Sequence, residues 1–122
     1  MRRVIICGSR KFNNYELLKS TLEDYFKDGT SEVIIVSGHA KGADDLGEQY
    51  ADWKKIPVEQ YPADWDRYGK QAGMMRNLEM ADVANECVAF IAKDAESKGT
   101  KNMISIMKRK GKKVTIIDEN HV

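Results

Sequence analysis

Five short apolar runs punctuate the chain, and stretches of helical period fill the gaps between them. The runs lie over 3–7, 32–37, 56–61, 87–92 and 112–117. The first, second and fourth are rich in Val and Ile and almost uninterrupted, the pattern of strands covered on both faces. After the first run, Leu17, Leu18, Leu22 and Phe26 recur near helical spacing and predict a helix over 15–27, capped by Asn13 or Asn14. A second helix opens at Gly42-Ala43-Asp44 and turns Leu46, Tyr50 and Trp53 inward. Residues 62–73 (PADWDRYGKQAG) read as irregular. A third helix follows over 74–85 with Met75, Leu78 and Val83 inward, and a fourth over 99–110 with Met103, Ile106 and Met107 on one face. Residues 93–98 read as a polar loop and 118–122 as a frayed tail.

Strand and helix alternate four times, which predicts a parallel α/β sheet. Right-handed crossovers then give a Rossmann-like three-layer sandwich: a five-stranded parallel sheet in order 3-2-1-4-5 with helices on both faces. The 122 residues suit a single domain over 1–122. Ligands of such sheets bind outside the carboxyl ends of the strands at the switch point, here between strands 1 and 4.

Composition narrows the function classes. Twenty basic residues against 19 acidic ones leave a net charge of +1. That balance gives no general drive toward nucleic acid or an anionic membrane, so any anion binding is local. The one basic cluster, KRKGKK over 108–113, reads as a solvated helix end that complements the dipole. Cys7 and Cys87 sit inside apolar runs and read as buried free thiols. Cys and His are too few and scattered for a metal site, and no cofactor is expected. The apolar runs are strand-sized, too short to span a membrane, and no secretory leader is visible; a cytoplasmic protein with no membrane partner is expected.

Three turns then carry candidate chemistry. Gly8 lets backbone approach a ligand, Ser9 adds a hydroxyl, and Arg10 adds a planar fork for phosphate or carboxylate; the alternative is an ordinary turn with a solvated Arg. Gly38, His39, Lys41, Gly42 and Asp44 form a glycine-bearing strand-to-helix turn of the kind that places helix N–H groups against phosphate. Its plainer reading is a tight turn with Asp44 complementing the helix dipole. Ser97, Gly99 and Thr100 open the fourth helix and either bind an oxyanion or, for Ser97, cap the helix. On the third helix Arg76, Asn77 and Glu79 are candidates, with Arg76 and Glu79 as the catalytic pair or simply a surface ion pair. Trp65 and Tyr68 offer rings for a base to stack on, or form a satellite core.

In order along the chain, GSR, SGHAKGAD, PADWDRYGKQAG, MRNLEM and SKGT resemble the YspA-like group of the SLOG superfamily, from Val4 to about Ile117. That superfamily includes the LOG-type phosphoribohydrolases and the DprA/Smf DNA-binding domain. The resemblance implies a Rossmann-like fold and a nucleotide-derived ligand. It places Gly8, Ser9 and Arg10, then Gly38, Lys41, Gly42, Ala43 and Asp44, then Arg76, Asn77, Glu79 and Met80 on the group's motifs. Arg76 falls where LOG-type enzymes carry an arginine important for catalysis. Gly99 and Thr100 match the glycine and threonine of the LOG phosphate loop, P-G-G-x-G-T-x-x-E. Two departures stand out. The final glutamate of that loop is replaced by Met103, and its leading P-G-G by Ala95-Glu96-Ser97. His39 also occupies a position that is often glycine.

The expected function is therefore a sensor- or carrier-type domain for a nucleotide-like small molecule. The alternatives are a hydrolase of a nucleotide's N-glycosidic or phosphoester bond, using Glu79 or Asp44, and nucleic-acid binding as in DprA/Smf, which the charge balance disfavours. Self-association as a homodimer is a further implication of the resemblance.

Overall fold

Val4 and Ile6 pack to one side of their strand, Ile5 and Cys7 to the other, and all four are buried. A strand covered on both faces needs a continuous apolar run, which is why 3–7 shows no alternation. The computed structural model describes residues 1–93 and 97–121. Strand β1 (Arg2–Gly8) is followed by α1 (Tyr15–Tyr25), β2 (Val33–Ser37), α2 (Ala43–Lys54), β3 (Val58–Gln60), a short α3 (Trp65–Tyr68), α4 (Ala72–Val83), β4 (Glu86–Ile91), α5 (Lys98–Arg109) and β5 (Lys113–Asp118). All pairings are parallel, and the order is β3-β2-β1-β4-β5, as the alternation predicts.

The helices divide between the faces. Leu18 and Leu22 of α1 and Ala43, Tyr50 and Ala51 of α2 pack with Val4, Ile6, Val33, Ile35, Val88 and Phe90. Met80 and Ala81 of α4 and Met103, Ile106 and Met107 of α5 pack with Ile5, Cys7, Val36, Cys87 and Ala89 on the other face. Leu18 and Leu22 are fully buried, and truncating either to Ala costs about 2–5 kcal/mol by the usual transfer and cavity terms. Asn14 caps α1, its side-chain oxygen accepting from Leu17 N–H at 3.1 Å. Among the described residues no helix is long and apolar enough to cross a membrane. Cys7 and Cys87 are free and buried, with their sulfurs 3.5 Å apart.

Several expectations are corrected. The inward face of α4 is Ala72, Asn77, Met80 and Ala81, while Leu78 and Val83 are exposed and Met75 is half-buried. Here Asn77 is drawn inward by specific hydrogen bonds, and small residues allow close packing. Trp53 is half-exposed, because Lys19 lies over its ring at 4.4 Å in place of core packing. The segment 62–73 contains α3, a 3-10 turn (Gly69–Gln71) and the start of α4; Asp64 caps α3 by accepting from Arg67 N–H at 3.2 Å. Phe26 falls just beyond α1 but stays buried. The tail is held as far as His121 in a 3-10 turn, with Glu119 accepting from Lys93 N–H at 3.3 Å. Of the predicted loop 93–98, residues 94–96 lie outside the described residues, as does Val122.

Candidate ligand-binding site

At the carboxyl edge of the sheet, beside the end of β1 and the starts of α2 and α5, a cavity of about 860 Å³ opens. Its volume falls within the usual range of small-molecule sites, roughly 300–1,000 Å³. Three turns wall it, and hydrogen bonds fix them to one another. Ser9 is buried at the end of β1. Its N–H donates to Phe90 O at 2.9 Å, and its Oγ accepts from Ala92 N–H at 2.9 Å and pairs with Ser97 Oγ. The Ser97 hydroxyl is thus spent on β1 and does not cap α5. The β2–α2 turn nests against the same strand end. Gly42 has φ +78°, and a Cβ there would lie 2.3 Å from Ser9 O and 2.5 Å from Arg10 O. Only a glycine allows that approach. Ala43 N–H then donates to Ser9 O at 3.2 Å.

Arg76 and Asn77 join the second turn to the third. Arg76 Nη1 donates to Gly38 O at 2.7 Å, and its Nε to Asn77 Oδ1 at 3.1 Å. Asn77 Nδ2 donates to Gly99 O at 3.1 Å and to Asn102 Oδ1 at 3.0 Å. Gly38 leaves room for the guanidinium, since a Cβ would sit 2.5 Å from Arg76 Nη1. The intrahelical Arg76–Glu79 pair does not form among the described ion pairs.

The cavity is cationic with one carboxyl in its wall. Arg10, Lys11, Lys70, Arg76 and Lys98 line it, and Asp44 is the single acidic residue among the described lining. Burial pushes the Asp44 carboxyl up to about 6, against the Ala40 N–H, Arg76 and Arg10, which favour its charge. Burial also holds the Arg76 guanidinium below the ordinary arginine value, with Asp44 opposing. Thr100 and Gly99 bring the first turn of α5 to the cavity, and the N–H groups of a first turn lack intrahelical acceptors and carry the positive end of the dipole.

Of the residues singled out in the sequence, Gly8, Ser9, Arg10, Asp44, Arg76, Asn77, Ser97, Gly99 and Thr100 meet at this cavity. Gly38 and Gly42 lie behind it as spacers. His39, Lys41 and Glu79 do not line it. His39 adopts φ +56°, the left-handed conformation that explains a glycine preference there, and its Nδ1 is 3.0 Å from Glu48 Oε2. Lys41 and Glu79 are exposed. Of the two rings offered for stacking, Trp65 lines the cavity and Tyr68 does not, while Lys11, Lys70, Lys98 and Asn102 line it without having been assigned to it from sequence. Among the described residues no cluster of three or more His, Cys, Asp or Glu is placed to hold a metal.

Residues 2–68, more than half of the chain, match the sequence model of the YAcAr family, described as the YspA, cpYpsA-related SLOG family. The chain belongs to this family. This SLOG domain is also 35% identical to the Gene 61 protein of Mycobacterium phage D29 over 96 residues, which take in 74% of this chain and 77% of that protein. Among solved structures it superimposes on DNA processing protein A (DprA) of Streptococcus pneumoniae with a TM-score of 0.67 at 17% identity, a likeness of fold. The match covers 94% of this chain and 49% of that one, so the SLOG domain spans about half the DprA chain. Met103, which the sequence resemblance sets against the LOG loop's glutamate, lines the cavity and is 1% exposed; a thioether has no proton to give or take there. Ala95 and Glu96, in place of that loop's P-G-G, lie outside the described residues.

Proposed function

We propose that this SLOG domain binds a phosphate-bearing, nucleotide-derived small molecule in the cavity at the carboxyl edge of the sheet, as a sensor- or carrier-type domain in the cytoplasm. One observation carries the reading: Ser9, Thr100, the first turn of α5 and the guanidinium of Arg76 converge on one cavity with four further cations. Buried hydroxyls, a helix start and arginine together suit a phosphate monoester or diester. Two buried free cysteines accord with a reducing compartment. The basic run at 108–113 does not serve this site. Lys112 Nζ donates to Ala81 O at 2.5 Å and Lys110 pairs with Asp82 at 2.7 Å, so the run closes the end of α4.

Calorimetry with ribose 5-phosphate and nucleoside monophosphates, beside the unphosphorylated nucleosides, tests the reading. Binding that requires the phosphate and drops at least tenfold in Arg76→Ala is expected. Absence of binding by every phosphate ester at millimolar concentration, with circular dichroism confirming the fold, overturns it.

A second reading, hydrolysis of a nucleotide, rests on Asp44, a carboxyl in the cavity wall pushed up to about 6 by burial. A group poised there serves as a general acid or base near neutral pH. Base or phosphate release from nucleoside monophosphates, lost in Asp44→Asn, is its test; release at blank level removes it.

A further inference from the structure

We propose that Trp65 is the stacking platform for a planar aromatic base, so that the cavity takes nucleotides in preference to phosphorylated sugars; this rests on the phosphate-binding reading above. The chain has two tryptophans, and they live in different surroundings. Trp53 lies on α2, with Lys19 at 4.4 Å and Lys54 at 5.6 Å from its ring and Tyr50 at 6.0 Å. Its surface borders a more open depression between α1 and α2, on the sheet face away from α4 and α5. Trp65 instead lines the phosphate cavity and is 49% exposed. Among the described residues no other ring or cation lies over it.

Trp65 is held in that wall by the chain around it. Asp64 caps α3 so that Trp65 is its first residue. Gly73, in the first turn of α4, supplies the seat, for a Cβ there would lie 3.2 Å from Trp65 Cη2. The indole edge therefore rests on the α4 backbone while half its surface remains open. A ring recruited only to fill a satellite core would bury more of itself than this. Met74 and Lys70 line the same cavity. The anion-binding end of the cavity, at Ser9 and Thr100, is made by other elements. One ligand that touches both parts has an anionic group and a flat apolar group. A nucleobase joined through ribose to phosphate has that layout, and any base presents a face to stack.

The experiment uses the full chain carrying Trp53→Phe, a change remote from the cavity that leaves Trp65 as the one tryptophan reporter. Adenosine 5′-monophosphate and ribose 5-phosphate are titrated by calorimetry and by fluorescence. Adenosine monophosphate should bind roughly ten- to hundredfold more tightly than ribose 5-phosphate, the range expected of one stacked base, and should quench Trp65 where ribose 5-phosphate does not. Trp65→Leu should bring the two affinities together while leaving that for ribose 5-phosphate within about twofold; Trp65→Phe should keep most of the preference. Equal affinities in the protein bearing Trp65, or a Trp65→Leu loss shared equally by both probes, overturns the stacking role and leaves phosphate binding standing. Failure of both probes to bind removes the phosphate reading and the stacking role with it.

Discussion

Replacing Asp44 by Asn should stabilise the protein at neutral pH and leave it unchanged in acid. Asp44 is 7% exposed, and burial pushes its carboxyl up to about 6 even though Arg76, Arg10 and the Ala40 N–H all favour its charge; Glu48 adds to the upward push. An unfolded chain titrates such a carboxyl near 4. Between about pH 4 and 6 the folded protein therefore binds more protons than the unfolded chain, and its stability falls as pH rises through that window. The contribution is fully present below about pH 4 and gone above about pH 6 to 7. Two pH units at 1.36 kcal/mol each set a ceiling of about 3 kcal/mol. Asparagine keeps an oxygen for the Ala40 N–H, which lies 3.2 Å from Asp44 Oδ2, and brings no charge to desolvate. Urea unfolding of both proteins in steps from pH 4 to 8 measures the difference. The two curves should coincide near pH 4 and separate by up to about 3 kcal/mol at pH 7.5, with the Asp44→Asn variant the more stable. A variant less stable than the parent at pH 7.5 would show that the Arg76 field outweighs desolvation, and burial would not be what governs the Asp44 carboxyl.

Gly42→Ala should cost at least about 2 kcal/mol in thermal or urea unfolding, because the new Cβ meets two backbone carbonyls at a positive φ; a change under about 0.5 kcal/mol would refute the nesting of the two turns. Asn77→Ala should cost about 1–3 kcal/mol through the stranded acceptors of Gly99 and Asn102, whereas Glu79→Gln, on an exposed position, should stay within about 0.5 kcal/mol. Burial pushes the Glu86 carboxyl up, but hydrogen bonds from Arg2 and Tyr25 outweigh it and hold the group below the ordinary carboxylate range. Its stabilisation is present at neutral pH and lost as pH falls through the folded pKa, so Glu86→Gln should destabilise at pH 7 and make little difference at pH 3. Equal destabilisation at both pH values would assign the effect to packing.

The strands and their order were legible because a two-sided sheet writes itself as Val/Ile runs, and right-handed crossovers leave few topologies. Two of the three turns of the site were legible as glycines at strand ends, and the third as Ser97, Gly99 and Thr100 at a helix start. The face of α4 was not. Hydropathy ranks Leu78 above Asn77, but Asn77 has two fixed acceptors on α5 and is buried, whereas Leu78 is left 45% exposed. A side chain's partners across the fold are invisible to local period. The same holds for Lys11, Lys70 and Lys98, which are ordinary surface lysines until three separate segments bring them around one cavity. His39 illustrates the opposite case: its departure from the usual glycine was visible, but its side chain pairs with Glu48 outside the cavity.

The central place of β1 has a consequence for how the chain assembles. Its pairing with β2 joins residues close in sequence, as in Val4 with Ile35. Its other edge must wait for β4, and the Ser9 hydroxyl meets the Ala92 amide across a separation of 83 residues. Closing so long a loop is among the slower steps of folding. Until it happens, Val4–Cys7 is an apolar strand with one bare edge, the kind of template that pairs with another chain. The cavity therefore waits on the covering of the second edge of β1, and a chain that has not yet closed that loop exposes an apolar strand before it has a binding site.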